Sequence, residues 1–332
     1  MMDFIRQSLF HGQTAIQRLR APGLLSRLST TKPYPNLISA SELNHLRQLA
    51  SQATPTTLDL NLEVHHRMLG ERLSPFAKNG FEFAETRLYQ HGDNVRFINW
   101  RRYANSGQLF INSFHEERRP QCWILLDRRA SMRFGTQVRL KVTQAATLAL
   151  FNLFKAQRQQ FDIGGIVLDE QSHWYEVKSS STSFQPLIQH ICSACPPLPD
   201  HADDQLAQNL RLLKTRLAPG CLIIVVSDFI DLKQADLNIL SALSSQHTVS
   251  TLHIVDPIEK TLPKQGQFQI LNAEDDSLIQ LNCSNSSSRE YYQTILQARL
   301  DNIEQQLKQS KTLYQQVDST AELLTTSHMA ES

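Results

Sequence analysis

The chain has 332 residues, of which 41% are hydrophobic and 20% are charged. This composition predicts a globular protein with a sizeable core, and the length exceeds that of one typical domain. The formal net charge of +1 excludes a global positive field, so no nucleic-acid partner is expected. The longest strongly apolar run, residues 222–226, is too short to cross a bilayer, which takes about 20 helical residues.

The five cysteines bear on the compartment of the protein. An odd number, scattered along a chain of this size, is not typical of a disulfide framework. It favours a reducing environment, and we therefore expect a cytoplasmic protein.

Residues 1–59 are predicted to form a helical, basic N-terminal extension. Between Phe4 and Ala40 there is no acidic residue, whereas five residues are basic: Arg6, Arg18, Arg20, Arg27 and Lys32. The favoured interpretation is an N-terminal helix that packs on the rest of the protein, with another helix starting at Ser41. Contact with a membrane surface, or an organelle transit peptide, remains the alternative.

The pattern changes twice in the middle of the chain. Residues 60–119 are predicted to be a small β-rich segment, because residues 80–85 alternate apolar with polar side chains. Residues 120–258 are predicted to form an α/β domain, starting with a buried strand at Cys122–Leu126. Apolar residues from Val138 to Phe154 recur at steps of three and four, which predicts a long helix.

Further apolar runs alternate with helical stretches at 184–193 and 203–217. They are Ile163–Leu168, Trp174–Val177, Cys221–Val226 and Val249–Val255. Strands that alternate with helices predict a mostly parallel, Rossmann-like sheet with helices on both faces. Residues 259–332 are predicted to be peripheral, with a hairpin (268–271 and 278–281), a helix at 288–310 and a frayed end.

Two predicted strands are followed directly by a carboxylate, Asp127 and Asp228. Ligands of open α/β sheets bind beyond the carboxyl ends of the strands. With Ser131, these aspartates would supply oxygen ligands suited to Mg²⁺. Equally, each aspartate could only cap the helix that follows it.

Three segments resemble the domain-of-unknown-function-58 family, whose core is a von Willebrand factor A-type fold. The first runs Asp127-Arg-Arg-Ala-Ser131-Met-Arg-Phe-Gly135. The second runs from Gly80-Phe-Glu-Phe to Trp100, and contains Arg87, Tyr89, Gly92, Asp93, Arg96 and Trp100 at the spacing of the family signature. The third is Val255-Asp-Pro-Ile-Glu259.

The resemblance implies a metal-ion-dependent adhesion site, in which the metal captures a carboxylate of a partner protein. Asp127 and Ser131 match its first loop, Asp228 is the later aspartate, and Thr182 is the candidate threonine. Arg129 stands where the family has a serine. Because an arginine stays protonated and offers no lone pair, we expect it to pair with Asp127 or Asp228 and the metal to be lost. The rival is that Arg129 points to solvent and Mg²⁺ still binds.

The signature segment from Arg87 to Trp100 has two interpretations. In the structural one, an Arg–Asp pair pins a loop and Trp100 packs beneath it. In the functional one, the segment is a patch that binds a partner or a phosphate. Its place in the family signature slightly favours function.

Other chemistry is discounted. Cys192 and Cys195 have redox or zinc spacing with His190 and His201 nearby, but two buried thiols are the favoured interpretation. The chain has no phosphate-binding Gly-x-x-x-x-Gly-Lys loop and no nucleophile elbow.

The leading hypothesis is a bacterial, non-enzymatic, protein-binding adaptor that needs no cofactor. The resemblance implies a functional link with a MoxR-type AAA+ ATPase. The alternative hypothesis is a metal-dependent hydrolase that uses Asp127 and Asp228.

Overall fold

A computed structural model describes residues 16–20, 34–52, 81–90, 95, 98–116, 120–176, 184–197, 204–272 and 278–322. Within these ranges the strands are β1 (Ile16–Arg20), β2 (Phe81–Leu88), β3 (Phe110–Glu116), β4 (Gln121–Asp127), β5 (Asp162–Leu168), β6 (Ser172–Tyr175), β7 (Leu222–Ser227), β8 (Thr248–Val255), β9 (Gln267–Asn272), β10 (Leu278–Asn282) and β11 (Leu313–Asp318). The helices are α1 (Ala40–Gln52), α2 (Trp100–Ser106), α3 (Lys141–Arg158), α4 (Phe184–Cys192), α5 (Gln205–Arg216), α6 (Gln234–Ser244), α7 (Pro257–Lys260) and α8 (Ser286–Gln309).

The central sheet has six strands in the order β11-β8-β7-β4-β5-β6. Neighbouring strands pair in parallel, except that β6 is antiparallel to β5. The predicted α/β class with a mostly parallel sheet is confirmed. Because β4 and β7 are parallel neighbours, their carboxyl ends meet at one edge of the sheet, where open α/β folds bind ligands.

Helices cover both faces of this sheet, as the sequence predicts. On one face α1, α3 and α4 pack against side chains such as Ile124. On the other face α5, α6 and α8 pack against side chains such as Leu125. Burying one large apolar side chain stabilises the fold by about 1.5–3 kcal/mol, so strands that are apolar throughout need a helical layer on each side.

The long helix is confirmed, but the prediction that its stripe starts at Val138 is wrong. Val138 is 90% exposed and α3 begins at Lys141. The loop before α3 folds back, since the Phe134 carbonyl accepts a hydrogen bond from the Lys141 N–H at 2.8 Å. Asp256 also holds this loop by accepting from the Thr136 N–H at 3.0 Å. These contacts keep Val138 outside the helix.

The N-terminal prediction is only partly right. Helix α1 is present, but Ile16–Arg20 forms a strand rather than part of a helix. This strand pairs antiparallel with β9, so that β1, β9 and β10 make a three-stranded sheet. The hairpin of β9 and β10, which the sequence predicts, presents a backbone edge that an extended segment can satisfy.

The prediction that the chain becomes peripheral after residue 258 is also wrong. Helix α8 matches the predicted helix, but β11 then joins the central sheet beside β8. Its polar Gln315 and Gln316 obscure the strand pattern. Such a pattern is tolerated because β11 is an edge strand with one neighbour.

Candidate functional site

Asp127 and Asp228 lie together at the carboxyl edge of the sheet and are almost fully buried, with exposures of 0% and 1%. Asp127 is the last residue of β4, and Asp228 follows Ser227, the last residue of β7. Ser227 links the two strand ends, because its hydroxyl lies 2.6 Å from Asp127 Oδ2 and donates to it. Two buried carboxylates in one place require nearby positive charge.

Arg129 supplies the positive charge for Asp127. Its Nε donates to Asp127 Oδ1 at 3.0 Å and its Nη2 donates to Oδ2 at 2.8 Å. The Arg129 backbone N–H adds a third bond to Oδ1 at 3.0 Å. This two-pronged geometry is the strong form of an arginine–carboxylate pair. The pairing expected from the sequence is present, and Arg129 points inward rather than to solvent.

One guanidinium nitrogen of Arg129 faces the rim of the site. Its Nη1 lies 3.4 Å from Asp231 Oδ2. The Asp231 side chain is 24% exposed, whereas that of Arg129 is 6% exposed. Asp231 therefore stands between the buried guanidinium and solvent.

Lys141 supplies the positive charge for Asp228, a role that the sequence pattern alone does not predict. Its ammonium lies 2.9 Å from Asp228 Oδ2 and 3.0 Å from Glu259 Oε1, and its side chain is 1% exposed. Lys141 is the first residue of α3 and no side chain caps this helix start. A lysine there opposes the helix dipole. That unfavourable position is the sequence signal that could have indicated a buried anionic partner.

The pKa values of this ion pair follow from its surroundings. Burial alone would raise the pKa of Asp228, but the charge and hydrogen bond of Lys141, with the charge of Arg129, outweigh it and hold that pKa well below its usual value. Burial alone would lower the pKa of Lys141, but Asp228 and Glu259 outweigh it, so that pKa is raised. Both groups are therefore charged at neutral pH.

The turn after β7 is held in a rare backbone conformation. Phe229 has φ +51°, in the left-handed region that a bulky side chain seldom adopts. Its N–H donates to the Ser227 hydroxyl at 3.1 Å, and its buried ring contacts that of His253. Backbone strain of this kind costs about 1–3 kcal/mol and is concentrated at functional sites.

The other two residues expected as metal ligands are Ser131 and Thr182. Ser131 is buried beside Asp228 and helps to lower its pKa, although its Oγ reaches no group of the described chain at good hydrogen-bond geometry. Thr182 lies outside the described residues.

The residues present do not fit a divalent cation. The face of each aspartate that a metal would bind is already occupied by a nitrogen cation, and no group of three or more His, Cys, Asp or Glu side chains in the described ranges is arranged to hold one. A metal ion placed there would be repelled by both cations.

A second polar cluster anchors the loop that carries Arg129. Arg133 binds Asp169 at 2.7 Å, and its Nε donates to the Arg128 carbonyl at 2.7 Å. The buried Arg128 guanidinium donates to the Ala194 carbonyl at 2.9 Å, just beyond α4. His190 bridges Asp169 and the Tyr175 hydroxyl, each at 2.7 Å. The cluster therefore ties the loop after β4 to two other segments. Asp169, which follows β5, holds Arg133, and Ala194, which follows α4, holds Arg128.

The cysteine motif gains no chemistry from the structure. Cys192 and Cys195 are buried, and burial raises the pKa of both thiols. The two ring nitrogens of His190 are used by Asp169 and Tyr175, while His201 lies outside the described residues.

The signature segment begins at the end of β2, which pairs with β3 in a two-stranded sheet. Arg87 lies in β2, and the Tyr89 N–H donates to the Leu109 carbonyl at 2.9 Å. Trp100 starts α2 and is 60% exposed, so the interpretation in which it packs beneath a loop is wrong. Gly92, Asp93 and Arg96 lie outside the described residues.

The sequence profile of a family described as protein of unknown function DUF58 matches residues 85–301. That range includes the signature segment, both buried aspartates and both cations that neutralise them. The chain belongs to the DUF58 family.

Two relatives and two solved structures are similar to this chain. An uncharacterized protein of Mycobacterium bovis, Mb1516, and its counterpart Rv1480 of Mycobacterium tuberculosis are each 23% identical over 231 residues, which is 68% of this chain and 71% of theirs. The hypothetical protein BatB of Bacteroides thetaiotaomicron matches 60% of this chain and 91% of its own, with 18% identity and a TM-score of 0.38. An aerotolerance-related membrane protein of Bacteroides fragilis matches 60% and 92%, with 16% identity and a TM-score of 0.36.

We predict that Lys141→Met lowers the free energy of unfolding by about 3–5 kcal/mol at pH 7, because it leaves Asp228 buried without its main partner. The deficit should shrink at pH 5, where the now raised pKa lets Asp228 take up a proton in the folded state. At pH 5, each unit by which that pKa lies above 5 restores about 1.4 kcal/mol. Urea unfolding at both pH values measures this.

The groups around Asp228 permit this pH window. Arg129 stays charged, and burial lowers the pKa of His253 to about 3, so it stays neutral. In the wild type the low pKa of Asp228 stabilises the fold above about pH 4, and this contribution is lost as pH falls below it. Lys155→Met is the matched control, because Lys155 is a second buried lysine of α3 and burial lowers its pKa to about 8. Equal deficits for Lys141→Met at pH 5 and pH 7 would contradict the role given to Lys141.

Proposed function

We propose that this protein is a non-enzymatic, protein-binding adaptor whose adhesion-type site works without a metal. The observation that carries the proposal is the two-pronged pair of Arg129 with Asp127, at the position where the resembled fold would hold its metal. Arg129 and Lys141 bring positive charge to the two aspartates that a divalent cation would otherwise neutralise. Arg129 and Lys141 thus supply the positive charge that a metal ion supplies in an adhesion site.

The rim of the site suggests how a partner is held. Arg129 Nη1 faces Asp231, at a distance that is long for an ion pair between well-placed groups. A carboxylate of the partner can take the place of Asp231 on this nitrogen. Arg129 then binds the partner carboxylate, which in the resembled fold is bound at the open coordination position of the metal. Asp231 acts as an internal stand-in for that partner carboxylate.

The partner that the family resemblance suggests is a MoxR-type AAA+ ATPase. In this proposal the ATPase supplies the work of remodelling or maturing a complex, and this chain supplies binding specificity. A cytoplasmic location suits such a partnership. Within the described ranges, no helix combines the length and apolar character needed to span a membrane.

The alternative of a metal-dependent hydrolase receives no support from the site. Asp127 and Asp228 are both buried and hydrogen-bonded to cations of the chain. A carboxylate held in this way is poorly placed to act as a base or to bind a metal-activated water. We therefore do not propose a reaction.

Calorimetric titration with Mg²⁺ and Mn²⁺ tests the metal-free site. We predict no binding to the wild type and none to Arg129→Ser, because Lys141 still neutralises Asp228. The double variant Arg129→Ser, Lys141→Ala leaves the aspartates and Glu259 unpaired, and it should bind the metal. Circular dichroism establishes that each variant is folded. Saturable binding to the wild type would overturn the proposal.

Binding of the purified MoxR-type ATPase of the same organism tests the adaptor role. We predict that Arg129→Gln weakens binding at least tenfold, which corresponds to about 1.4 kcal/mol. Asp231→Asn should strengthen binding, because it removes the internal competitor. The matched control is Asp301→Asn, which neutralises an exposed aspartate on α8. Failure of the wild type to bind in any nucleotide state would count against the ATPase as partner.

A further inference from the structure

No residue of helix α2 is buried. All seven of its residues are exposed, including Trp100 at 60% and Tyr103 at 43%. Its ends are nevertheless well capped: Asn99 Oδ1 accepts from the Arg102 N–H at 3.0 Å, and the N–H of Gly107, at φ +68°, donates to the Tyr103 carbonyl at 2.8 Å. A helix this short is marginal without tertiary contacts. Packing against another molecule would supply them.

The exposed apolar side chains of the described residues are concentrated here. Five of the nine large ones lie between residues 88 and 109: Leu88, Val95, Trp100, Tyr103 and Leu109. The backbone brings them close together, since Leu88 pairs with Phe110 and the Asn99 N–H donates to the Phe110 carbonyl at 2.8 Å. The rings of Trp100 and Tyr103 meet edge to face at 6.2 Å. A cluster of exposed apolar side chains of this kind is typical of a binding site.

Both charged side chains of α2 are positive: Arg101 and Arg102 are exposed on this helix, which carries no acidic residue. The Arg102 guanidinium lies 4.3 Å from the centre of the Phe110 ring, which holds it in place. The complement of such a surface is acidic.

The residue types favour a protein as the occupant. Tryptophan, tyrosine and arginine are the residues most enriched at the energetic centres of protein interfaces. A second copy of this chain is disfavoured, because a two-fold interface through this surface would set arginines against arginines. A membrane surface is disfavoured because α2 also exposes Asn105 and Ser106 and has only two turns to insert.

We propose that the aromatic–arginine face, formed by Leu88, Trp100, Arg101, Arg102, Tyr103 and Leu109, binds an acidic protein segment. Apolar side chains of that segment cover Trp100 and Tyr103, and its carboxylates pair with Arg101 and Arg102. The proposal rests on the proposed role as a protein-binding adaptor, but it uses a surface on a different sheet from Arg129. The face therefore gives the adaptor a second contact.

Selection from a random displayed-peptide library against the full-length protein tests this face. The probe is then the enriched peptide carrying a fluorescent label, and its binding is titrated by fluorescence anisotropy. We expect enriched peptides with several Asp or Glu among apolar residues, and binding that weakens as salt is raised. Trp100→Ala and the pair Arg101→Glu, Arg102→Glu should each weaken binding at least tenfold. Both changes are on exposed residues, so the fold should persist.

Matched controls separate this face from the other site. Tyr291→Ala removes another exposed aromatic side chain, on α8, and should leave binding unchanged. Arg129→Gln, at a temperature where circular dichroism shows that it is folded, should also leave peptide binding unchanged. If that variant loses the ATPase while the peptide still binds, only the first site matters for the ATPase, and the two proposals stand or fall separately.

Three outcomes would overturn the inference. The first is enrichment of peptides without acidic character, or of peptides whose binding ignores Trp100. The second is Trp100-dependent binding to phosphatidylglycerol vesicles in place of peptides, which would assign the face to a membrane. The third is a Trp100-dependent dimer in analytical ultracentrifugation, which would assign it to a second copy.

Discussion

The structure depends on neutralising two carboxylates that the parallel sheet places side by side. Asp127 and Asp228 end adjacent strands and are shielded from water, so each needs a cation within hydrogen-bond distance. Arg129 reaches back from the loop after β4, and Lys141 reaches in from the first turn of α3. Removing either cation would leave a buried unpaired charge, which is among the more destabilising changes a protein can suffer.

This requirement explains the geometry of the surrounding loops. The loop from residue 128 to 140 must deliver both cations, and it is tied at two points, to Asp169 by Arg133 and to Asp256 by Thr136. The loop after β7 turns sharply at Phe229, which places Asp231 at the rim. The result is a buried group of ion pairs in which one guanidinium nitrogen of Arg129 lies next to the partly exposed Asp231. In the function that we propose, a partner carboxylate binds that nitrogen through the same charges that stabilise the fold.

Sequence patterns predicted what depends on local periodicity. The buried strands, the apolar stripe of α3 and the hairpin of β9 and β10 were all predictable, as was an ion pair of Arg129 with one aspartate. Lys141 was not, because its partner Asp228 is 87 residues away and only the fold brings them together. Strand β11 was missed because an edge strand tolerates polar residues. The exposure of Trp100 could not be predicted from the sequence either, since a tryptophan in a family motif can be buried in the core or exposed in a binding site.

The most direct test of the account is a crystal structure of the wild-type protein grown with excess Mn²⁺, with anomalous diffraction data collected at the manganese edge. The account predicts no anomalous peak near the aspartates, with Arg129 on Asp127 and Lys141 on Asp228. A manganese peak between Asp127 and Asp228, with Arg129 turned to solvent, would contradict it. The charge of the site would then come from a metal, and the capture of a partner carboxylate by arginine would have no basis.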